Sequence, residues 1–189
     1  MQQVKNLKNN TIAILTTDGF EEIELTAPKE ELAGYGATIH IISDKPKIKS
    51  WKNKQWGNEF ESDRMLEAAN VRDYDMLILP GGVINSDKLR RNKKAIEFIK
   101  KFNNENKFIA VICHGLQLLI EAELVKGKTL AAHHAIKTDM KNAGANYEDF
   151  GVLKDGNIIS ARGADDVSAF LKKIIGVLKV ENEDALIKE

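Results

Sequence analysis

The sequence predicts a single α/β domain built on a mainly parallel sheet with helices on both faces. Three observations predict it. Short apolar runs alternate along the chain with segments of helical periodicity. The runs end at turn signals such as Asp18-Gly19 and Pro80-Gly81-Gly82. The chain has 189 residues with no linker-like block of Pro and Gly, so residues 1–189 read as one domain with a buried core over about 11–178.

The elements follow in order. Residues 11–17 (TIAILTT) suit a buried strand that stops at Asp18-Gly19. Residues 21–35 place Ile23, Leu25, Ala27, Leu32 and Ala33 among charges before Gly34 and Gly36, which predicts a helix with Pro28 near its beginning. A second strand is expected at 37–43, and the weakly periodic segment 45–63, which carries both tryptophans, reads as a hairpin or an irregular excursion. Residues 75–79 (DMLIL) form a third strand, 87–104 a helix, and 108–112 (FIAVI) a fourth strand. Cys113-His114-Gly115 then leads directly into a helical run at 116–124. Beyond Gly127 the pattern predicts a strand at 129–132, a helix at 136–143, strands at 147–153 and 157–161 joined at Asp155-Gly156, and a helix over 165–178. The charged tail at 180–189 is expected to fray.

Composition narrows the partners. With 28 basic and 28 acidic residues, no general field draws the chain to nucleic acid or to an anionic bilayer, and small molecules or peptides are the expected substrates. The lone cysteine excludes an intramolecular disulfide and a multi-cysteine zinc cluster, and it fits a reducing compartment. Residues 1–10 are polar and no run reaches transmembrane length, so a cytoplasmic location is expected.

The chemistry centres on Cys113. A buried strand that delivers it straight into a helix places the sulfur at the carboxyl edge of the sheet, where ligands bind in open α/β folds, and where a helix start favours thiolate. The same strand, nucleophile and helix order serves hydrolases with a strained elbow. The plain alternative is a buried structural cysteine. His114 is a candidate proton shuttle, or a donor only through its backbone N–H, or a surface histidine. Gly82 ends the neighbouring strand and leaves a backbone N–H open to a substrate oxygen, unless Gly81-Gly82 is just a turn. Among Glu21, Glu22 and Glu24, Glu24 is chosen to turn inward because Ile23 and Leu25 flank it; burial would raise its pKa and let it donate to the sulfur. His133 and His134 lack a third ligand at metal spacing, so no metal is expected. Arg162 is suited either to a substrate carboxylate or to Asp165 or Asp166.

Asp18-Gly19-Phe20-Glu21-Glu22-Ile23-Glu24, Leu79-Pro80-Gly81-Gly82, Ala110-Val111-Ile112-Cys113-His114-Gly115 and Ala135-Ile136-Lys137-Thr138-Asp139 together resemble the ThiJ/PfpI family. The likeness spans about residues 11–178 and is nearest the PfpI-like intracellular proteases and general stress proteins. It implies a flavodoxin-like, glutamine-amidotransferase-like three-layer fold. It further implies Cys113 as nucleophile, Glu24 hydrogen-bonded to the sulfur, His114 as its partner histidine, and the amides of Gly82 and His114 as oxyanion hole. In the protease branch a neighbouring subunit supplies an acid that orients the histidine, for which Asp87 is the candidate, so a homo-oligomer (dimer or hexamer) is expected. Two departures bear on substrate preference. Leu116 stands where the family commonly has proline, and His133-His134 replaces a frequent aromatic-proline pair.

The functions that follow are a cysteine hydrolase of peptides or glycated amines, a glyoxalase-type enzyme acting on methylglyoxal, and a redox sensor or chaperone in which Cys113 is oxidised without turnover. No cofactor is expected, because a thiolate with an oxyanion hole needs neither metal nor nucleotide and no phosphate-binding glycine loop is present.

Overall fold

The computed structural model describes residues 7–187, with the backbone alone for 181 and 183–187. Expectations for residues 1–6 and 188–189 lie outside the described residues. In chain order the elements are β1 (Thr11–Leu15), α1 (Glu22–Gly34), β2 (Thr38–Ser43), β3 (Lys47–Lys52), β4 (Gln55–Glu61), β5 (Arg64–Met65) and β6 (Met76–Leu79). There follow α2 (Val83–Arg90), α3 (Lys93–Asn104), β7 (Phe108–Ile112), α4 (Leu116–Glu121), β8 (Thr129–Leu130) and α5 (Lys137–Asn142). The chain closes with β9 (Asn146–Tyr147), β10 (Val152–Asp155), β11 (Ile158–Ala161) and α6 (Val167–Ile187).

Among the described residues the main sheet runs β10-β11-β7-β6-β1-β2-β5, parallel except for the β10–β11 hairpin. Alternation along its strands divides the core in two. Ile12 and Ile14 of β1 join Leu25 and Leu32 of α1 and Phe170, Leu171 and Ile174 of α6 on one face. Ala13 and Leu15 join Phe98, Ile99 and Phe102 of α3 and Leu118 and Leu119 of α4 on the other. The expected three-layer α/β architecture is therefore present, and no helix among the described residues is long and apolar enough to cross a membrane.

Several expected boundaries are corrected. The helix expected at 87–104 is two helices, because Asn92 caps α3 by accepting from the backbone N–H groups of Lys94 and Ala95. The strand expected at 147–153 divides: Tyr147 pairs with Leu130 in a separate two-stranded parallel sheet, and only Val152–Asp155 joins the main one. Pro28 lies in the interior of α1 rather than near its beginning. The last helix continues to Ile187, since nothing after Gly176 supplies a glycine or proline stop.

Segment 45–63 is the hairpin β3–β4, docked on the β1–α1 loop by Gly19 N–H to Lys49 O (2.8 Å) and Trp51 N–H to Phe20 O (2.7 Å). Glu22 clamps it from beneath. Its buried carboxylate accepts from Ser50 Oγ (2.6 Å), Lys52 Nζ (2.6 Å) and Asn58 N (3.1 Å), and the Lys52 contact leads in holding its pKa down at about 2. This hairpin carries Trp51 to the carboxyl edge of the sheet.

Candidate active site

The carboxyl ends of β1, β6 and β7 meet at one point. β7 is followed directly by Cys113, whose φ of +62° is a left-handed conformation that a side chain adopts only under constraint. The constraint is crowding behind the elbow. A Cβ at Gly115 would lie 2.8 Å from the carbonyl oxygen of Leu79, and one at Gly81 would lie 2.7 Å from the Cβ of Cys113. Small residues on both sides let β6 and the strained turn at Cys113 approach.

Cys113 is 9% exposed, and its Sγ lies 3.3 Å from Nδ1 of His114. Glu24, the third residue of α1, is buried, and its Oε2 accepts the Gly81 N–H at 2.7 Å. The carboxyl lies beside the Cys113 sulfur, which favours its charged form, while Oε1 has no nitrogen or oxygen hydrogen-bond partner among the described residues. Burial raises the Glu24 pKa to about 7, with the Glu21 charge adding to the rise. Of the three glutamates, Glu24 lies beside the sulfur, while Glu22 serves the hairpin.

The helix start behind Cys113 is a weak one. α4 holds only six residues and begins behind a 3₁₀ turn formed by Cys113–Gly115, so burial governs the sulfur. Burial pushes the thiol up and an ionised Glu24 adds to the rise, while the N–H groups of His114 and Gly82, which face the sulfur, pull it down. Two adjoining buried acids do not both ionise, so Cys113 and Glu24 hold one negative charge between them at most near neutral pH.

His114 is half-buried, and burial, assisted by His133 and His134, lowers its pKa to about 4. It is a neutral base near pH 7, able to accept at Nδ1 when its proton is on Nε2. The three imidazoles form a column, with His114 and His133 centroids 4.4 Å apart and His133 and His134 4.2 Å apart. His133 Nδ1 accepts the Ala135 N–H at 3.2 Å, which leaves Nε2 as its protonated nitrogen in the neutral ring. Among the described residues no three His, Cys, Asp or Glu side chains are placed to hold a metal ion together.

Two cavities open on the sulfur. One, of about 610 Å³, is lined by Glu21, Glu24, Cys113, His133, Arg162 and Asp165 among others. The second, of about 370 Å³, runs between Trp51, Val83, Ile84 and His114. Arg162 lies in the first, and its guanidinium is paired with Asp166 (3.0 and 3.3 Å) and Asp149 (3.0 Å). Asp87 lies outside both cavities within the chain: it is exposed on α2, 3.6 Å from Arg91. Sequence reasoning missed Trp51, Asp149 and the buried Asn85. Only Trp51 carried a signal, a tryptophan in a turn-rich segment.

The sequence pattern of the DJ-1/PfpI family matches residues 10–176. A Bacillus subtilis protein named "Putative cysteine protease YraA" is 38% identical over 170 residues, covering 89% of this chain and 98% of that protein. "Deglycase PfpI" of Pyrococcus furiosus is 34% identical over 168 residues, covering 89% and 99%. Among solved structures, a two-domain protein of Anabaena variabilis with DJ-1/ThiJ/PfpI-like and ferritin-like domains superposes with a TM-score of 0.85 at 32% identity. The match covers 90% of this chain and 48% of that one.

Proposed function

The chain belongs to the DJ-1/PfpI family, and from that premise we propose that it is a cysteine hydrolase that releases amines from carbonyl compounds, either peptides or glycated amines. The observation that carries the reading is the Cys113 sulfur 3.3 Å from a neutral His114 imidazole, with the Gly82 and His114 N–H groups facing the same atom. Relatives named as a cysteine protease and as deglycases support it.

For an amide-type substrate each step follows from those positions. Sγ adds to the carbonyl carbon while the thiol proton passes to Nδ1 of His114. The oxygen that gains charge is met by the N–H groups of Gly82 and His114. Collapse breaks the carbon–nitrogen bond, the amine leaves with the proton returned by His114, and a Cys113 thioester remains. Water, deprotonated by His114, then releases the acid and restores the thiol. Glu24 holds its proton beside the sulfur and keeps a second charge out of the buried site. Addition to the carbonyl of a glycated amine is the same first step.

The proposal includes a cytoplasmic, homo-oligomeric protein. Val83 (59% exposed) and Ile23 (44%) are apolar side chains on the surface close to the site, and a second copy would cover them. Asp87, exposed on α2, is then available to a neighbour's histidine. Light scattering reads the assembly.

The test is to incubate the protein with methylglyoxal-glycated lysine and arginine derivatives, methylglyoxal itself and a casein-derived peptide. Free amine and acid should appear from the first or the last. No turnover on any, together with peroxide oxidation confined to Cys113 by mass spectrometry, would replace the hydrolase with a redox sensor.

A further inference from the structure

Asn85 is a polar residue with no exposed surface, the third residue of α2, and no step above uses it. Its amide is saturated. Nδ2 donates to the carbonyl oxygens of Pro80 (3.0 Å) and Gly81 (3.0 Å), while Oδ1 accepts from Thr16 Oγ1 (3.1 Å) and the Thr17 N–H (2.8 Å). Two hydrogens meet two carbonyls and one oxygen takes two donors, so the amide has a single orientation.

The carbonyls it holds decide where the loop's N–H groups point. A trans peptide is planar, with C=O and N–H directed oppositely, and the described peptides are all trans. Drawing the Pro80 carbonyl toward Asn85 turns the Gly81 N–H the other way, onto Glu24 Oε2 at 2.7 Å. Drawing the Gly81 carbonyl the same way turns the Gly82 N–H onto the Cys113 sulfur. Glycine leaves these peptides free to rotate, and Gly82 stands at φ +91°, where no side chain steadies it. The anchor must come from outside the loop. Thr16 and Thr17, at the end of β1, tie the same amide to the neighbouring strand.

We infer that Asn85 is the positioning residue of this site: by holding the carbonyls of Pro80 and Gly81 it aims one N–H at Glu24 and the next at the reacting centre. The inference rests on the reading of Cys113 as nucleophile and of Gly82 as oxyanion donor. It adds a residue that touches neither substrate nor sulfur.

The test compares wild type with Asn85→Leu, which keeps the branched outline of the side chain but removes both donations and the acceptor for Thr16 and Thr17. Turnover of whichever substrate the wild type accepts should fall about tenfold or more in kcat with KM nearly unchanged, short of the ~10²–10³ loss of an outright missing oxyanion donor. The pH profile of Cys113 alkylation by iodoacetamide, which needs no turnover, should move upward by about one unit as the Gly82 N–H leaves the sulfur. Amide exchange at Gly81 and Gly82, read by NMR, should accelerate by about tenfold. Asn85→Asp is the second variant should the leucine protein not fold; it keeps the acceptor for Thr16 and Thr17 and loses the donations, and the same two turnover-free shifts are expected. A variant that is less stable yet keeps the wild-type alkylation profile and glycine exchange would overturn the inference and leave Asn85 a packing residue. Full activity in a Cys113→Ser protein would instead remove the nucleophile reading, without touching the alkylation and exchange results.

Discussion

Replacing Glu24 by glutamine isolates the proton that the buried site holds. The Glu24 pKa rises from 4.5 to about 7 because burial opposes its charge. At about 1.4 kcal/mol per unit, that rise corresponds to about 3 kcal/mol. The sign follows from which state binds the proton. Below pH 4.5 the carboxyl is protonated folded and unfolded; between 4.5 and about 7 the unfolded chain ionises while the folded site keeps its proton. Stability is therefore fully present below 4.5 and falls as pH rises through the folded value. Glutamine accepts the Gly81 N–H through its oxygen, offers an N–H to the sulfur and has no charge to acquire. Urea unfolding read by tryptophan fluorescence at steps from about pH 4 to 8 should show a wild-type minus Glu24→Gln difference that changes by about 3 kcal/mol across that window and is flat outside it. Alkylation of Cys113 in the same variant should show a lower thiol pKa than wild type, because the neighbouring charge is gone. A difference constant with pH would refute the buried proton, and an unchanged thiol titration would separate Glu24 from the sulfur.

Other perturbations have equally definite outcomes. Glu22→Gln should remove an acid-sensitive contribution: the carboxylate pKa is held at about 2 by Lys52, Ser50 and Asn58, so its stabilisation is present above 4.5 and lost as pH falls toward 2. That amounts to about 2–3 kcal/mol, read as the change in urea midpoint between neutral and acid solution, and parallel curves for the two proteins would contradict it. The larger cavity is lined by Glu21, Asp149, Asp165 and Asp166 against the single guanidinium of Arg162. Cys113 should therefore react faster with a cationic methanethiosulfonate than with an anionic one, by about tenfold at low salt after normalisation to a free thiol, with the gap closing as salt rises; equal rates would show no field at the sulfur. Because φ at residue 113 is +62°, Cys113→Gly should be more stable than Cys113→Ala by about 1 kcal/mol in thermal unfolding, and an alanine protein of equal stability would mean the elbow is relaxed.

The parts of the fold legible in the sequence were those with one dominant physical cause. β1, β6 and β7 are buried on both faces, so each is a continuous apolar run that ends where the chain must turn. The Cys113 elbow was readable for the same reason, whereas the inward turn of Glu24 was not fixed by its apolar neighbours, since Leu25 is buried but Ile23 is 44% exposed. The break between α2 and α3 was not, because apolar periodicity continues across it and only the Asn92 cap ends it. Residues 147–153 alternate well enough for one strand but pair with two different sheets, a choice made by distant partners. Asn85 was illegible altogether. An asparagine in the loop expected between Gly82 and the helix at 87–104 reads as solvent-facing, and its burial arises only when Pro80, Gly81, Thr16 and Thr17 close around it. Arg162 was found as a residue, but Asp149 lies 13 positions away and no spacing announces that pair.

The claim that Cys113 is the nucleophile is tested most directly by the steady-state rate of a Cys113→Ser protein, shown to be folded by its circular dichroism, on the substrate that the wild type turns over. Serine keeps the shape of the elbow but lacks a sulfur that His114 can activate to the same degree, so kcat should fall by about 10³ or more. A Cys113→Ser protein that turns over at the wild-type rate would contradict it.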